Sequence, residues 1–327
     1  MNINLTSKRG ELPLSDHFPD PSAGFLFPGA EIKIAQNYRE DYYYLIQQFK
    51  TLFFTIRYCS FYSVEKDVLT VTNAPGVIFR LGISNSHQVM TTDLGNQVFH
   101  ERGYNLFCNP GESAEYIMEP GETFIFLDLL LENDYLDYLH YYYPVTKDFI
   151  EKAAKGIAGK LTLSNQVALT ETWRWQEELM DWCFDANRTS SDGDIIGNKL
   201  IVKSIEAAKP ATAKRGIALT LPEMNRICNA AEMIRNSDET PVIEILSAGS
   251  GLSVYKFNAG FKEIFGHPVG KHKFEDKMSY ALRLMDCKGA DLKQVATLLG
   301  YSQPRAFLQD FRKRFGYAPF EKDKPAQ

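Results

Sequence analysis

Four positions near the C-terminus recur at one fixed offset: Phe257, Phe261, Phe265 and Gly266 are followed 50 residues later by Phe307, Phe311, Phe315 and Gly316. Gly251 and Ser253 open the first copy, Gly300 and Ser302 the second, and Pro268 and Pro319 close them. Such a repeat constrains the fold more than composition does, because each copy must form one supersecondary unit. In each, a short apolar segment (Ile243 and Leu246; Leu292, Val295, Ala296 and Leu299) runs into a glycine that can take the left-handed turn. The serine that follows is placed to cap the next helix. Phenylalanines at four-residue spacing bury one stripe of that second helix and leave the opposite face open, which is the logic of a helix-turn-helix unit. Gly266 and Gly316 then end the second helices.

Between the copies, Val269 to Cys287 carries Phe274, Met278, Ala281, Leu282 and Met285 at helical spacing, a stripe of about five turns. A helix there links the two units rigidly, so that their second helices can enter successive major grooves ~34 Å apart. One chain would then read two half-sites.

From roughly Asn225 to Pro319 these residues resemble the DNA-binding domain of AraC-type transcriptional regulators. The second unit of that family ends in a pattern close to A-x-x-x-G-[FY]-x-[ST]-x-x-x-F-x-x-x-F-[KR]-[KR]-x-F-G-x-[ST]-P. Ala296, Gly300, Tyr301, Phe307, Phe311, Arg312, Lys313, Phe315, Gly316 and Pro319 stand in its places, with one position shifted around the serine. The resemblance implies an α+β chain: an N-terminal cupin-like β-barrel or sandwich that senses a small molecule, an α-helical dimerisation element, and an all-α reader of two joined units. It also implies double-stranded promoter DNA as partner, a homodimer, RNA polymerase as a further contact and transcriptional activation, with no cofactor. Four places depart from the pattern. Gly260 lies inside a helix, where it costs about 1 kcal/mol against Ala. Pro304 replaces a polar contact, His272 a usual Tyr, and the tail Phe320-Glu-Lys-Asp lacks the aromatic-Arg pair that often follows.

With the phenylalanines facing inward, the open face of the first reading helix is Tyr255, Asn258, Ala259 and Lys262. The resemblance places Tyr255, Asn258 and Ala259 at base edges; Asn258 suits adenine and Lys262 a phosphate. On the second helix the same logic exposes Pro304, Arg305, Leu308, Gln309 and Arg312. Arg305 suits guanine, Gln309 adenine, and Arg312, Lys313 and Arg314 the phosphate backbone.

The first half has a different period. Runs such as Phe53–Tyr58, Val68–Thr72, Val77–Leu81, Tyr104–Phe107 and Thr123–Phe126 are rich in β-branched and aromatic residues. Asn73-Ala-Pro-Gly76, Asn109-Pro-Gly111 and Glu119-Pro-Gly121 separate them with turn signals, a spacing that predicts a sandwich or barrel. Helices are expected over Leu169–Phe184 and Asp192–Ala208, where two chains would pair, and over Pro222–Asn236. The break at Lys209-Pro-Ala-Thr-Ala-Lys-Arg-Gly216 sets the expected organisation: a sensing and dimerisation domain over 1–208, a linker over 209–220 and the reader over 221–327. Phe53, Tyr58, Phe79, Phe107, Tyr116 and Phe124 are candidates to line an effector pocket. Arg57 and Arg80 read as exposed strand residues, with binding of an anionic effector the alternative if they face inward, and Tyr42–Tyr44 and Tyr141–Tyr143 as interface or packing clusters.

An enzyme is not expected. No His-x-His pair, P-loop, G-x-S-x-G or G-x-G-x-x-G occurs, and His87, His100 and Glu101 have no metal-ligand spacing. A cupin-type enzyme and a reader that has lost DNA and acts through protein contacts are the alternatives. The start of the chain lacks the apolar core of an export signal, the densest apolar run (Thr123–Leu131) is too short to span a bilayer, and the five cysteines are scattered. A cytoplasmic protein with no membrane partner is expected. A net charge of −5 taken over the whole chain disfavours nucleic acid, yet residues 221–327 carry 16 basic against 13 acidic side chains and residues 1–220 carry 20 against 28. The acidity belongs to the first half, and the modest positive charge of the second must be concentrated near Arg305–Arg314 to be useful.

Overall fold

The computed structural model describes residues 3–16, 26–37, 42–72, 74–208, 217–237, 242–286, 291–316 and 318–319, with backbone alone at 282, 283, 285 and 286. The break at 209–216, Asn73, Cys287, the tail from Phe320 and the side chains of Leu282 and Met285 lie outside the described residues.

The strands are β1 (Asn4–Ser7), β2 (Gly10–Glu11), β3 (Glu31–Gln36), β4 (Tyr42–Lys50), β5 (Phe54–Ser63), β6 (Asp67–Thr72) and β7 (Gly76–Ser84). They continue with β8 (His87–Thr91), β9 (Gly95–Phe99), β10 (Gly103–Asn109), β11 (Ser113–Met118), β12 (Thr123–Leu131), β13 (Gly159–Lys160) and β14 (Gln166–Val167). They form two antiparallel sheets, β2-β1-β6-β11-β8-β9 and β13-β10-β7-β12-β5-β4-β3, with β14 also on β10. Four helices follow the strands or interrupt the last of them: α1 (Asn133–Tyr142), α2 (Lys147–Ala153), α3 (Thr170–Phe184) and α4 (Ser190–Ala207).

The larger sheet is buried on both faces. Tyr44, Ile46, Cys59, Phe61, Phe124 and Phe126 point at the smaller sheet and meet Leu69, Val71, Val89 and Tyr116. Ile56, Tyr58, Phe79, Leu81, Leu127 and Leu129 point the other way, onto Leu179, Met180, Leu200, Ile201 and Ile205 of α3 and α4. This is why β12 reads as a nearly continuous apolar run: strand alternation sends successive side chains into two cores. The six aromatics expected to share a pocket are divided by the same alternation, with Tyr116 and Phe124 inside the sandwich and Tyr58 and Phe79 beneath the helices. They line no common cavity.

Arg57 and Arg80, expected at the surface, are both buried. Each stands directly across from Asp128 in the ladder, on β5 and β7 respectively. Arg80 grips Asp128 with two hydrogen bonds, Nε to Oδ1 at 2.7 Å and Nη2 to Oδ2 at 2.6 Å, and donates to the Tyr116 hydroxyl at 2.7 Å. Its guanidinium also lies 4.2 Å from the ring centre of Phe126 and 5.2 Å from that of Tyr116. The carboxylate and the aromatic faces together replace water around the cation, which is how an arginine survives in a core. Tyr42 and Tyr44 are likewise interior and Tyr43 is half-buried, whereas Tyr141 and Tyr142 are exposed.

Gly82 on β7 fixes the turn that leads into β10. A Cβ there would meet the backbone oxygen of His100 at 2.5 Å. Arg102 N–H donates to the Gly82 carbonyl at 2.9 Å, and Gly103 N–H to that of His100 at 2.8 Å. The close approach turns the 100–103 segment outward, with Arg102 itself at φ 62°.

Removing one partner of a buried pair strands the other charge, so Asp128→Ala should cost about 3–5 kcal/mol in urea unfolding, while Asp128→Leu with Arg80→Met should recover most of it. Gly82→Ala should cost about 1–3 kcal/mol through the backbone clash, read by the same denaturation.

Candidate nucleic-acid interface

Six helices make up the C-terminal part: α5 (Leu221–Asn236), α6 (Ile243–Gly249), α7 (Val254–Phe265), α8 (His272–Asp286), α9 (Leu292–Leu298) and α10 (Pro304–Phe315). Thr220 and Glu223 open α5 with a capping box, the Thr220 N–H donating to Glu223 Oε2 at 2.9 Å. Ser253 caps α7 by accepting the Lys256 N–H. The second copy differs: the cap residue of α10 is Gln303, one position beyond Ser302, with Pro304 in the first turn. A one-residue slip between the copies thus replaces the serine cap with a proline start. Gly251, Gly266, Gly300 and Gly316 all have positive φ, between 63° and 81°. The turns and stops of both copies therefore use the conformation that glycine adopts without steric cost.

Each copy has its own small core. Phe257, Phe261 and Phe265 pack with Ile227, Ala231, Ile234 and Leu246, and Phe307 and Phe311 with Met278, Ala281, Val295 and Ala296. Phe315 is only partly buried. Gly260 sits where α7 meets α5, and a Cβ there would lie 2.8 Å from a methyl of Ile227. Its helical cost is thereby offset by closer packing. His272 is buried against the Phe261 and Phe265 rings, at 5.1 and 4.7 Å between centres. Burial pushes its imidazole down to about 4. The α8 helix joins the copies as the spacing predicts, with His272 in the first core and Met278 and Ala281 in the second.

With the phenylalanines inside, the expected reading residues face outward. Tyr255 is 79% exposed. Asn258, Lys262, Arg305, Gln309, Arg312 and Lys313 are exposed, and Ala259 and Leu308 half-buried. Two neighbouring cations are already engaged: Lys256 holds Glu223 at 2.6 Å, and Arg314 holds Glu275 of α8. The Lys256 contact, with the Thr220 backbone, pulls the Glu223 carboxyl down to about 2.

The reader is docked on the sandwich by its opposite side. Arg235 of α5 reaches Glu101 Oε1 at 2.7 Å and Asp276 Oδ2 of α8 at 3.0 Å. Ser86 and the Glu101 N–H meet Glu232. Arg102 donates to the Ile264 carbonyl at 2.5 Å, its guanidinium 4.2 Å from the Trp173 ring centre and 4.5 Å from that of Phe265. Thr170 of α3 donates to the Glu263 carbonyl at 2.8 Å. His100 and Glu101, which the sequence offered only as weak metal candidates, therefore belong to an interdomain contact. His87 lies apart from them, inside the sandwich and stacked on Phe99 and Phe126. No group of three or more His, Cys, Asp or Glu side chains gathers to hold a metal among the described residues. Beside the docking contact lies a cleft of ≈ 740 Å³, with Tyr58, Ile83, Ile125 and Trp173 on one wall and Phe265, Asp276, Tyr280 and Leu299 on the other. Nothing in the sequence signalled this contact, because its parts are 93 to 162 residues apart.

Three solved structures cover much of the chain at low likeness. ToxT from Vibrio cholerae is 9% identical, with 83% of this chain and 97% of that one covered at a TM-score of 0.31. The AraC-like transcriptional activator CuxR is 10% identical over 84% and 88%, at 0.33. A cupin-2 domain from Rhodospirillum rubrum is 14% identical over 43% and 99%, at 0.24. Scores this low carry no argument about the chain. Among curated proteins no sequence matches it. Residues 246–323 do match the helix-turn-helix domain family. That segment takes in both copies of the repeat together and, with its two glycine stops and terminal F-x-x-x-F-R-K-x-F-G, is a helix-turn-helix domain of the AraC type.

Proposed function

We propose that the chain binds promoter DNA by sequence through α7 and α10, under the control of a small molecule sensed by residues 1–208. The observation that carries this reading is the division of each second helix into a buried phenylalanine stripe and an exposed polar face. Tyr255, Asn258, Ala259, Arg305, Leu308 and Gln309 would meet base edges, and Lys262, Arg312 and Lys313 phosphates. The docking contact leaves these faces clear, since it uses α5 and the last turn of α7.

The effector is assigned to the ≈ 740 Å³ cleft. Arg80, Asp128 and the rings around them occupy the sandwich interior, and the space beside Arg80 and Tyr116 is ≈ 30 Å³. The cleft falls in the size range of small-molecule sites, and its lining sets Tyr58, Ile125 and Trp173 beside charged groups such as Arg102, Glu177 and Lys273, which suits a ligand with an apolar body and polar groups. Ile125→Trp, which narrows it, should weaken the effect of an added activating extract on DNA binding while leaving effector-free binding unchanged; an undiminished response would refute the assignment.

The chain would act in the cytoplasm; no helix among the described residues is long and apolar enough to cross a membrane. A homodimer, activation and a contact with RNA polymerase belong to the same reading. Pairing through α3 and α4 would use their charged outer side, where Lys203 meets Glu171 and Glu206, because the apolar stripe of both helices is spent on the larger sheet.

Selection of genomic fragments by the full chain should yield a defined site whose affinity falls steeply with salt. Arg305→Ala should relax preference at one base pair at a cost of about 1–3 kcal/mol, and Arg312→Ala should weaken all sequences alike and lower the salt slope by about one. No selected sequence, or a flat salt dependence, would favour a reader that acts through protein contacts instead.

A further inference from the structure

Two adjacent residues of the docking contact carry opposite charges and do not meet. Glu101 and Arg102 both line the ≈ 740 Å³ cleft. Glu101 is 3% exposed; its Oε1 accepts from Arg235 at 2.7 Å, while Oε2 is buried with no donor. Arg102 is 6% exposed. Its guanidinium is held between the Trp173 and Phe265 rings and donates to the Ile264 carbonyl, which leaves Nε buried with no acceptor. Among the described residues no carboxylate forms an ion pair with Arg102, and that of Glu101 pairs with Arg235 instead. A buried cation ordinarily has an anion beside it, as Arg80 has Asp128. An unmet donor on a cation and an unmet acceptor on a carboxylate each cost free energy, which a ligand with the complementary groups recovers.

We propose, resting on the assignment of the effector to this cleft, that the effector is a zwitterion: an α-amino acid with a large apolar side chain, its carboxylate on Arg102 Nε and its ammonium on Glu101 Oε2. Such a molecule carries both charges around one carbon, the short separation that adjacent residues can serve. The rest of the lining agrees. Three arginines and two lysines stand there against four carboxylates, a near balance that suits a molecule without net charge better than a simple acid or a simple amine. Tyr58, Ile83, Ile125 and Trp173 form an apolar wall for the side chain. Protein covers Nε and Oε2 in the docked arrangement, so the ligand reaches them as the reader parts from the sandwich. Because Arg102 also holds the carbonyl of Ile264 in the last turn of α7, seating a carboxylate on it alters a contact that positions the first reading helix.

Calorimetric titration of the full chain with L-leucine, L-phenylalanine and L-tryptophan tests this, each beside its own analogues lacking the amino group or the carboxylate. At least one amino acid should bind, and both of its analogues should bind about tenfold or more weakly. Ile125→Trp should weaken that binding. Glu101→Gln should bring the amino acid level with its deaminated analogue, and Arg102→Gln should bring it level with the decarboxylated one. An equal loss for all three ligands in either variant is what a merely loosened contact gives, and it would overturn the charge assignment. An analogue that binds as tightly as its amino acid and is weakened by Ile125→Trp would refute the zwitterion while keeping the cleft as the effector site. Binding that Ile125→Trp leaves untouched would refute both. If none of the three amino acids binds, the zwitterion falls and the extract response of Ile125→Trp alone decides the cleft.

Discussion

Burial of the larger sheet on both faces governs most of what this chain does. A sheet covered on one side can send its polar residues to water; this one cannot, so a charge on its central strands must find a partner within the protein. Asp128 of β12 stands between Arg57 on β5 and Arg80 on β7, and the Arg80 pair is closed by Tyr116 and the Phe126 ring. Filling the sandwich in this way leaves little room for a ligand there. The same constraint consumes the apolar stripes of α3 and α4, since the second face of the sheet has no other cover. A roomy site can then form only where the sheet's cover ends, and the reader docks at that edge.

The two helix-turn-helix units share a plan and differ in attachment. The first has its α5 and the end of α7 bound to the sandwich through Glu101, Arg102, Ser86 and Thr170. The second is built on α8, with its own core of Met278, Ala281, Phe307 and Phe311. Asp276 of α8 accepts from Arg235, so the linking helix is tied to the same cluster that holds the first unit. A shift of α5 would therefore be passed to α8 through the Arg235 guanidinium and through Lys273, which donates to the Ser237 carbonyl at the end of α5.

What was legible in the sequence follows from which interactions are local. The helix-turn-helix pair is written in glycines, caps and phenylalanines a few residues apart, and its helices begin and end close to the expected residues. β5, β6, β7, β10 and β12 were visible because alternation and Pro-Gly turns act over ten residues or fewer, whereas β8, β9 and β11 were not picked out. Arg57 and Arg80 were misread because burial of an arginine depends on partners from other strands, for Arg80 Tyr116 at 36 and Asp128 at 48 residues away, which no local pattern reveals. The Ser302 cap failed for a smaller reason, a single residue of slip ahead of Pro304. The reading faces were legible as the complement of the phenylalanine stripe; the docking side was not, because Glu101 and Arg235 meet only after both halves have folded.

The glycine at position 82 connects these scales. Because it has no side chain, the His100 carbonyl can approach the strand, and the 100–103 turn leaves the sheet with Glu101 and Arg102 directed at the reader. Arg102 then lies between Trp173 of the sandwich's helical cover and Phe265, the last residue of α7. Phe265 is also the third residue of the stripe that shapes the first reading helix. One aromatic ring thus belongs at once to the core that positions α7 and to the contact that holds the reader, so a change at the cleft wall reaches the reading helix without any intermediate element.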